Sequence, residues 1–444
     1  MPIEIRSIGG YDEVGKNCTA IKIDDEVVIC DMGLHLENYI RFTEDEDIIN
    51  ISPSELIKEK AVPDITQIKE WHKRVIAIIP THAHLDHIGA VPFLGNYFKA
   101  PIICTPFSAA VLQAILTDEK IHLNNKIKVL NAGSTIKISK NIKIEFINMT
   151  HSTPQTVMVA IHTKYGIVLY ANDFKFDIYP TLGQKTDFAK LRELGNRNIF
   201  ALIVESTYAP EAIKMPSEAV AKEMLRDVMI GTESKGKTII VTTFSSHIAR
   251  LKSIIEFGKK LGRKIVFLGR SLSKYTNAAE SIKLVNFSKE VDIVRFSSKI
   301  KRELKKIEKD GKEKYLLVVT GHQGEPKATL SKIARGEFGF RLDPGDHVIF
   351  SCKTIPTPTN IKNREDLEND LKKYGVRIFK DIHISGHAGR EDLRDLISLV
   401  KPKHLIPAHG DQRMTKALYD LAIEMGYDKD NVHIMRDLNH LKLE

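Results

Sequence analysis

The segment Pro80-Thr81-His82-Ala83-His84-Leu85-Asp86-His87-Ile88-Gly89 constrains this chain more than any other. It packs three imidazoles and a carboxylate into one short stretch, directly after the apolar run Val75-Ile76-Ala77-Ile78-Ile79. Such a run reads as a buried strand, so the polar loop sits at the strand's carboxyl edge with a helix beginning behind it. In an extended loop His82 and His84 point the same way, because side chains alternate with a period of two. Asp86 and His87 start a new turn and face a neighbouring point. One segment can therefore serve two cations, and neutral imidazoles with a carboxylate suit Zn2+, with Mn2+ or Fe2+ less favoured. The bland alternative is a hydrophilic turn that happens to be histidine-rich, and the strand-loop-helix setting weighs against it.

Further ligands are expected at other strand ends. His151 follows Phe146-Ile147-Asn148-Met149-Thr150, Asp173 follows Val168-Leu169-Tyr170-Ala171-Asn172, and His409 follows Leu405-Ile406-Pro407-Ala408. Any one of them alone is more simply a packed or surface residue. Their shared placement is what argues for chemistry.

The first 180 or so residues are strand-dominated: a hairpin over Thr19 to Asp31, and another over Val157 to Tyr170 around Lys164-Tyr165-Gly166. After Glu205 the texture becomes βαβ, with strands at Ile239–Val241, Ile265–Leu268, Tyr315–Val319 and His347–Phe350. Each ends in a small or polar segment, and ligands of open parallel sheets bind at such carboxyl ends. Ser246, Arg270, Ser271 and Gln323 are thereby candidates for phosphate and ribose contacts. Polar caps at strand ends are the competing explanation for each.

Composition narrows the class. With 42% hydrophobic residues over 444 positions the chain can build real cores, and 17 prolines and four cysteines exclude collagenous and disulfide-dense designs. No run approaches the ~18 continuous apolar residues of a membrane-spanning helix, and the start lacks a signal-peptide core, so a soluble cytoplasmic protein is expected. Cys18, Cys30, Cys104 and Cys352 form no Cys-x-x-Cys pair and read as reduced, buried small hydrophobes. The formal charge of +9 favours a polyanionic partner, although the Lys- and Glu-rich run Ser298 to Lys314 reads as an exposed helix.

Taken together, the motifs resemble the metallo-β-lactamase superfamily in its β-CASP branch, and within it the ribonuclease J family. The resemblance spans nearly the whole chain. It is carried by Gly15-Lys16-Asn17, Asp31-Met32-Gly33-Leu34, Val62-Pro63-Asp64-Ile65-Thr66, His82 to His87, Asp173-Phe174-Lys175-Phe176-Asp177, Gln323-Gly324-Glu325-Pro326, His383-Ile384-Ser385-Gly386-His387 and Pro407-Ala408-His409-Gly410. It implies an α/β fold, an αββα sandwich over 1–205 completed by 366–444, with a βαβ-type β-CASP domain inserted at 206–365. It also implies two divalent ions per chain, one held by His82, His84 and His151, the other by Asp86, His87 and His409, with Asp173 between them. Asp31 resembles the family's bracing acid, Glu205 its acidic motif and His387 its later catalytic histidine.

The implied activity is metal-dependent hydrolysis of single-stranded RNA, most simply as a 5′-to-3′ exoribonuclease preferring 5′-monophosphorylated ends, with a homodimer and internal cleavage left open. Asp86 would orient the attacking water and His387, held by Glu205, would protonate the leaving oxygen. The glycines, hydroxyl and imidazoles of His383, Ser385, Gly386 and His387, just before a helix, suit a phosphate. Two alternatives stand beside this: an endoribonuclease of the cleavage-and-polyadenylation type, and a non-catalytic RNA-binding subunit. The first usually carries KH modules for which there is no room before Gly9, and the second tends to lose metal ligands. The chain departs from the bacterial pattern at His247, at His322 and at Ala171-Asn172, and because the resemblance implies a further, dimer-assisting C-terminal domain in bacterial relatives beyond the position of Glu444, their oligomeric state is not carried over.

Overall fold

The protein is described here by a computed structural model covering residues 3–43 and 52–444. It divides into two compact units, the first formed by Met1–Ile178, Gly183–Met215 and Gly386–Glu444, the second by Tyr179–Leu182 and Pro216–Ser385.

In the first unit, alternation along the strands makes two faces on each of two sheets. In the strand Glu26–Cys30, Val27 and Ile29 point one way and Val28 and Cys30 the other. The first sheet runs in the order His440–Leu443, Ile3–Gly9, Cys18–Ile23, Glu26–Cys30, Val75–Ile79, Ile102–Cys104, Ile127–Val129. The second runs His404–Ala408, Ile199–Glu205, Gly166–Ala171, Val157–Thr163, Lys143–Asn148, Thr135–Lys137. Their facing sides share one core, in which Ile5, Ile21, Val28 and Ile79 meet Phe146, Val159, Tyr170 and Ile203. Helices cover the outer sides: Leu112 and Leu116 of Pro106–Glu119 lie over the first sheet, and Leu393, Leu396, Leu418 and Leu421 over the second. The result is the αββα sandwich. Burying each such aliphatic side chain contributes about 1.5–3 kcal/mol.

The second unit is a parallel sheet in the order Asp292–Val294, Lys264–Leu268, Tyr315–Val319, Ile239–Thr242, His347–Phe350, Arg377–Phe379. The four inner strands are buried throughout apart from Lys264, whereas the two edge strands each have one exposed and two half-buried residues and give no periodic signal in the sequence. The Lys-rich run forms the helix Ser297–Asp310, and it is amphipathic rather than exposed all round: Ile300, Leu304 and Ile307 are buried against the sheet. His247 finds its role as an N-cap, accepting from Arg250 N–H at 3.3 Å. Arg250 itself is fully buried and forks onto Glu218 at 2.6 and 2.8 Å. Its remaining nitrogen donates to the Ser351 hydroxyl and to the carbonyls of Ser351 and Ile382. Removing one partner of such a pair costs about 3–5 kcal/mol.

All four cysteines are free and buried. No helix among the described residues is long and apolar enough to cross a membrane.

Candidate metal centre

The site lies at the carboxyl ends of strands in the first unit, and three of its residues are in the left-handed backbone region. Asp31 follows Glu26–Cys30 with φ 60°, Asp173 follows Gly166–Ala171 with φ 59°, and His409 follows His404–Ala408 with φ 50°. Such conformations cost on the order of 1–3 kcal/mol each and cluster where function requires them. The metal-loop motif continues from Val75–Ile79 into a short helix, Leu85–Ile88, with His84 at its N-cap position. That helix is zipped to the segment after Asp31: Met32 N–H donates to His87 O at 2.7 Å and Leu34 N–H to Leu85 O at 2.9 Å. Gly33 lies between them because a Cβ there would sit 1.6 Å from the Asp86 carbonyl oxygen.

The seven side chains proposed from the sequence as ligands converge. His82, His84, His151 and Asp173 offer ligand atoms all within 4.8 Å of one another, and Asp86, His87, Asp173 and His409 do the same. Asp173 joins the sets: its Oδ2 lies 3.4, 3.2 and 3.5 Å from Nε2 of His82, His87 and His151, and its Oδ1 is 3.4 Å from Nε2 of His409. A third grouping is Asp173, Glu205 and His387.

Hydrogen bonds behind the imidazoles fix their tautomers. His87 Nδ1–H donates to Asp31 Oδ2 at 2.8 Å, His151 Nδ1–H to Gly386 O at 2.7 Å, and His409 Nδ1–H to Asn17 Oδ1 at 2.7 Å. Each partner can only accept, so Nδ1 keeps its proton and Nε2 is the nitrogen turned inward on all three rings, as metal-ligating histidines require. His84 turns its Nδ1 to within 3.1 Å of both His82 Nε2 and His151 Nε2. Asp31 also accepts from Thr81 N–H at 2.7 Å and Tyr170 O–H at 3.0 Å, which ties it to the loop that carries His82.

The electrostatics fit divalent cations. Burial opposes ionisation of Asp173 and Asp86, yet neighbouring imidazoles, His409 then His87 for the first and His87 for the second, hold both carboxyls well below the usual range. Burial drives His84 and His151 well below their ordinary value, leaving them neutral and able to ligate. His87 is opposed by burial but pushed well above it by Asp173, Asp31 and Asp86, a sign of how much positive charge the carboxylates attract. Asp173 Oδ1 and His409 Nε2, both buried, have no hydrogen-bond partner among the described residues. A metal ion would satisfy both.

Glu205 and His387 stand beside this cluster. His387 Nδ1–H donates to Glu205 Oε2 at 2.7 Å, while Glu205 Oε1 accepts from Phe174 N–H at 2.9 Å. Burial lowers His387, but Glu205 and then Asp173 raise it to about 10.

Of the remaining candidates, Gly386 belongs to the first unit and His383, Ser385, Ser246, Arg270, Ser271 and Gln323 to the second. Ser271 shares a hydrogen bond with Ser245 at 2.8 Å, and Arg270 opens the helix Arg270–Ser281 with its side chain exposed. Gln323 is buried, with its amide committed to Lys353 O and Ile355 N–H at 3.1 and 2.8 Å, so it ties loops together. The sequence alone assigns no role to Asn17, Tyr170 or Asn172. Asn17 stands in Gly15-Lys16-Asn17, but nothing in that motif tells which imidazole its amide meets.

A protein with this sandwich and this donor set is a metallo-hydrolase of the metallo-β-lactamase class. Family models agree: "Metallo-beta-lactamase superfamily" matches residues 11–192, "Ribonuclease J, beta-CASP domain" 236–367 and "Zn-dependent metallo-hydrolase RNA specificity domain" 373–435. Ribonuclease J of Methanocaldococcus jannaschii is 43% identical over 446 residues, covering 100% of this chain and 99% of the relative. That of Pyrococcus abyssi is 43% identical over 96% of this chain and 93% of its own length, and Ribonuclease J 1 of Streptococcus pyogenes 33% over 99% and 74%. The chain belongs to the ribonuclease J family. The fold is also similar to a crystal structure of an Enterococcus faecalis V583 protein of unknown function, with TM-score 0.65 and 16% identity over 99% of this chain and 100% of that one.

Proposed function

We propose that the protein is a cytoplasmic 5′-to-3′ exoribonuclease acting on single-stranded RNA with 5′-monophosphate ends, using two Zn2+ ions, with Mn2+ the next candidate. His82, His84 and His151 would hold one ion, Asp86, His87 and His409 the other, with Asp173 shared. Bound there, divalent ions lower the pKa of water towards 7 and neutralise phosphoryl oxygens. The chain's own groups do the rest. Asp86, whose side chain is 27% exposed, is the ionised carboxylate that water can reach, and it orients the nucleophile. His387, held protonated and oriented by Glu205, donates a proton to the leaving ribose oxygen. His383, Ser385 and Gly386 would take the 5′-phosphate, with Ser246, Arg270 and Ser271 supplying further contacts. Gln323 would add to these contacts with the second N–H and second lone pair of its amide, the first of each being spent on its own loops.

The observation that carries this reading is the convergence of seven candidate ligand side chains, three of which, His87, His151 and His409, are held at Nδ1 by acceptors that turn Nε2 inward. Family membership supplies the substrate class. The test is metal-replete protein incubated with end-labelled RNAs that differ only in 5′ phosphorylation. Mononucleotides released from the 5′ side, faster from monophosphorylated RNA, are expected. Discrete internal fragments would overturn the exonuclease reading in favour of an endonuclease.

A further inference from the structure

We infer that Asn17 is a positioning residue for one of the two metal positions, that of Asp86, His87 and His409, and that the other position does not depend on it; the inference rests on the two-ion reading above. Asn17 is buried in the loop between the strands Ile3–Gly9 and Cys18–Ile23. Its carboxamide touches the backbone or ring of all three ligands. Oδ1 accepts from His409 Nδ1–H at 2.7 Å, and Nδ2 lies 3.2 Å from Asp86 O and 3.1 Å from His87 Nε2. The orientation of the amide is fixed, because the opposite one would set its oxygen against the Asp86 carbonyl and its nitrogen against the Asn172 Nδ2 donor, 3.4 Å from Oδ1.

Two consequences follow for the chemistry of this position. An acceptor-only oxygen at Nδ1 compels His409 to keep its proton there, which leaves Nε2, otherwise without a hydrogen-bond partner, with a lone pair for a cation. The backbone does its share: Asn17 N–H donates to Asp86 O at 3.0 Å and Asn17 O accepts from Gly33 N–H at 3.0 Å. The loop is shaped around this side chain. Gly10 has φ +86°, its carbonyl accepts from His409 N–H, and a Cβ on it would lie 2.4 Å from Asn17 Oδ1. Lys16 pins the loop to Glu13 and Asp437 at 2.6 and 3.5 Å. No comparable bond from Asn17 reaches His82, His84 or His151; those imidazoles are backed by Thr81, by one another and by Gly386 O.

The experiment titrates Zn2+ into metal-stripped wild type, Asn17→Ala and Asn17→Asp against a chromophoric chelator, with elemental analysis of the loaded proteins. Wild type should bind two ions. Asn17→Ala should weaken one site about 10- to 100-fold and leave the other unchanged. Asn17→Asp, which keeps an acceptor at His409 Nδ1, should lose less than Asn17→Ala. Independently of whether the variants fold, imidazole 15N spectra of metal-stripped wild type should show His409 protonated at Nδ1. Two undisturbed sites in Asn17→Ala, equal weakening of both, or an Nε2–H tautomer of His409 overturns the inference. Wild type that binds no Zn2+ or Mn2+ would instead defeat the two-ion reading itself.

Discussion

In the proposed mechanism the pair Glu205–His387 supplies the proton to the leaving oxygen. Burial lowers the His387 imidazole, and Glu205 is the largest influence raising it, to about 10. A general acid raised in this way stays protonated at neutral pH and loses its proton only as pH rises through the raised value. Glu205→Gln should therefore move the alkaline limb of kcat/KM to lower pH, while His387→Ala should remove that limb and lower turnover by about 100- to 10,000-fold. A pH–rate profile measures both, and an unmoved limb in Glu205→Gln would reject the pairing. At this scale the sequence was informative wherever residue type itself carries chemistry. The three motif histidines and Asp86 stand in one short segment, and His151, Asp173 and His409 each sit at the end of an apolar run. Asn17 and Tyr170 were illegible because an amide and a phenol gain their role only from partners far along the chain, such as His409 and Asp31.

Among the elements, the segment after Asp31 matters most, since its backbone is paired with that of the metal loop. Gly33 permits that pairing through the absence of a side chain. Gly33→Ala must push the Asp86 backbone away, at a cost of about 1–3 kcal/mol if the loop yields. The expected outcome is a lower urea midpoint together with loss of Zn2+ from the position served by Asp86. Wild-type stability and metal content in that variant would show the loop to be looser than its geometry indicates. The strands themselves were legible from alternation and from the buried runs, as in Glu26–Cys30 and Tyr315–Val319. The edge strands Asp292–Val294 and Arg377–Phe379 were not, because three residues, one exposed and two half-buried, create no pattern. The charged run from Ser298 misled for a related reason: Ile300, Leu304 and Ile307 are a helical stripe, but lysines crowd them in sequence.

For the whole molecule, the sandwich and the parallel-sheet unit each close around their own cores, and that closure reaches the thiols. Cys18, Cys30 and Cys104 lie in the first unit and Cys352 in the second, all nearly inaccessible to solvent. Burial pushes Cys104 and Cys352 up to about 12 and raises the other two as well. Only a thiolate reacts with an alkylating reagent. Native protein at pH 8 should thus remain unmodified by iodoacetamide over hours, and four adducts should appear by mass spectrometry once denaturant is added; rapid native labelling would contradict this burial. The four sulfurs act as sealed tags, one in one half and three in the other. The order in which peptides acquire the label under rising denaturant would report which half opens first.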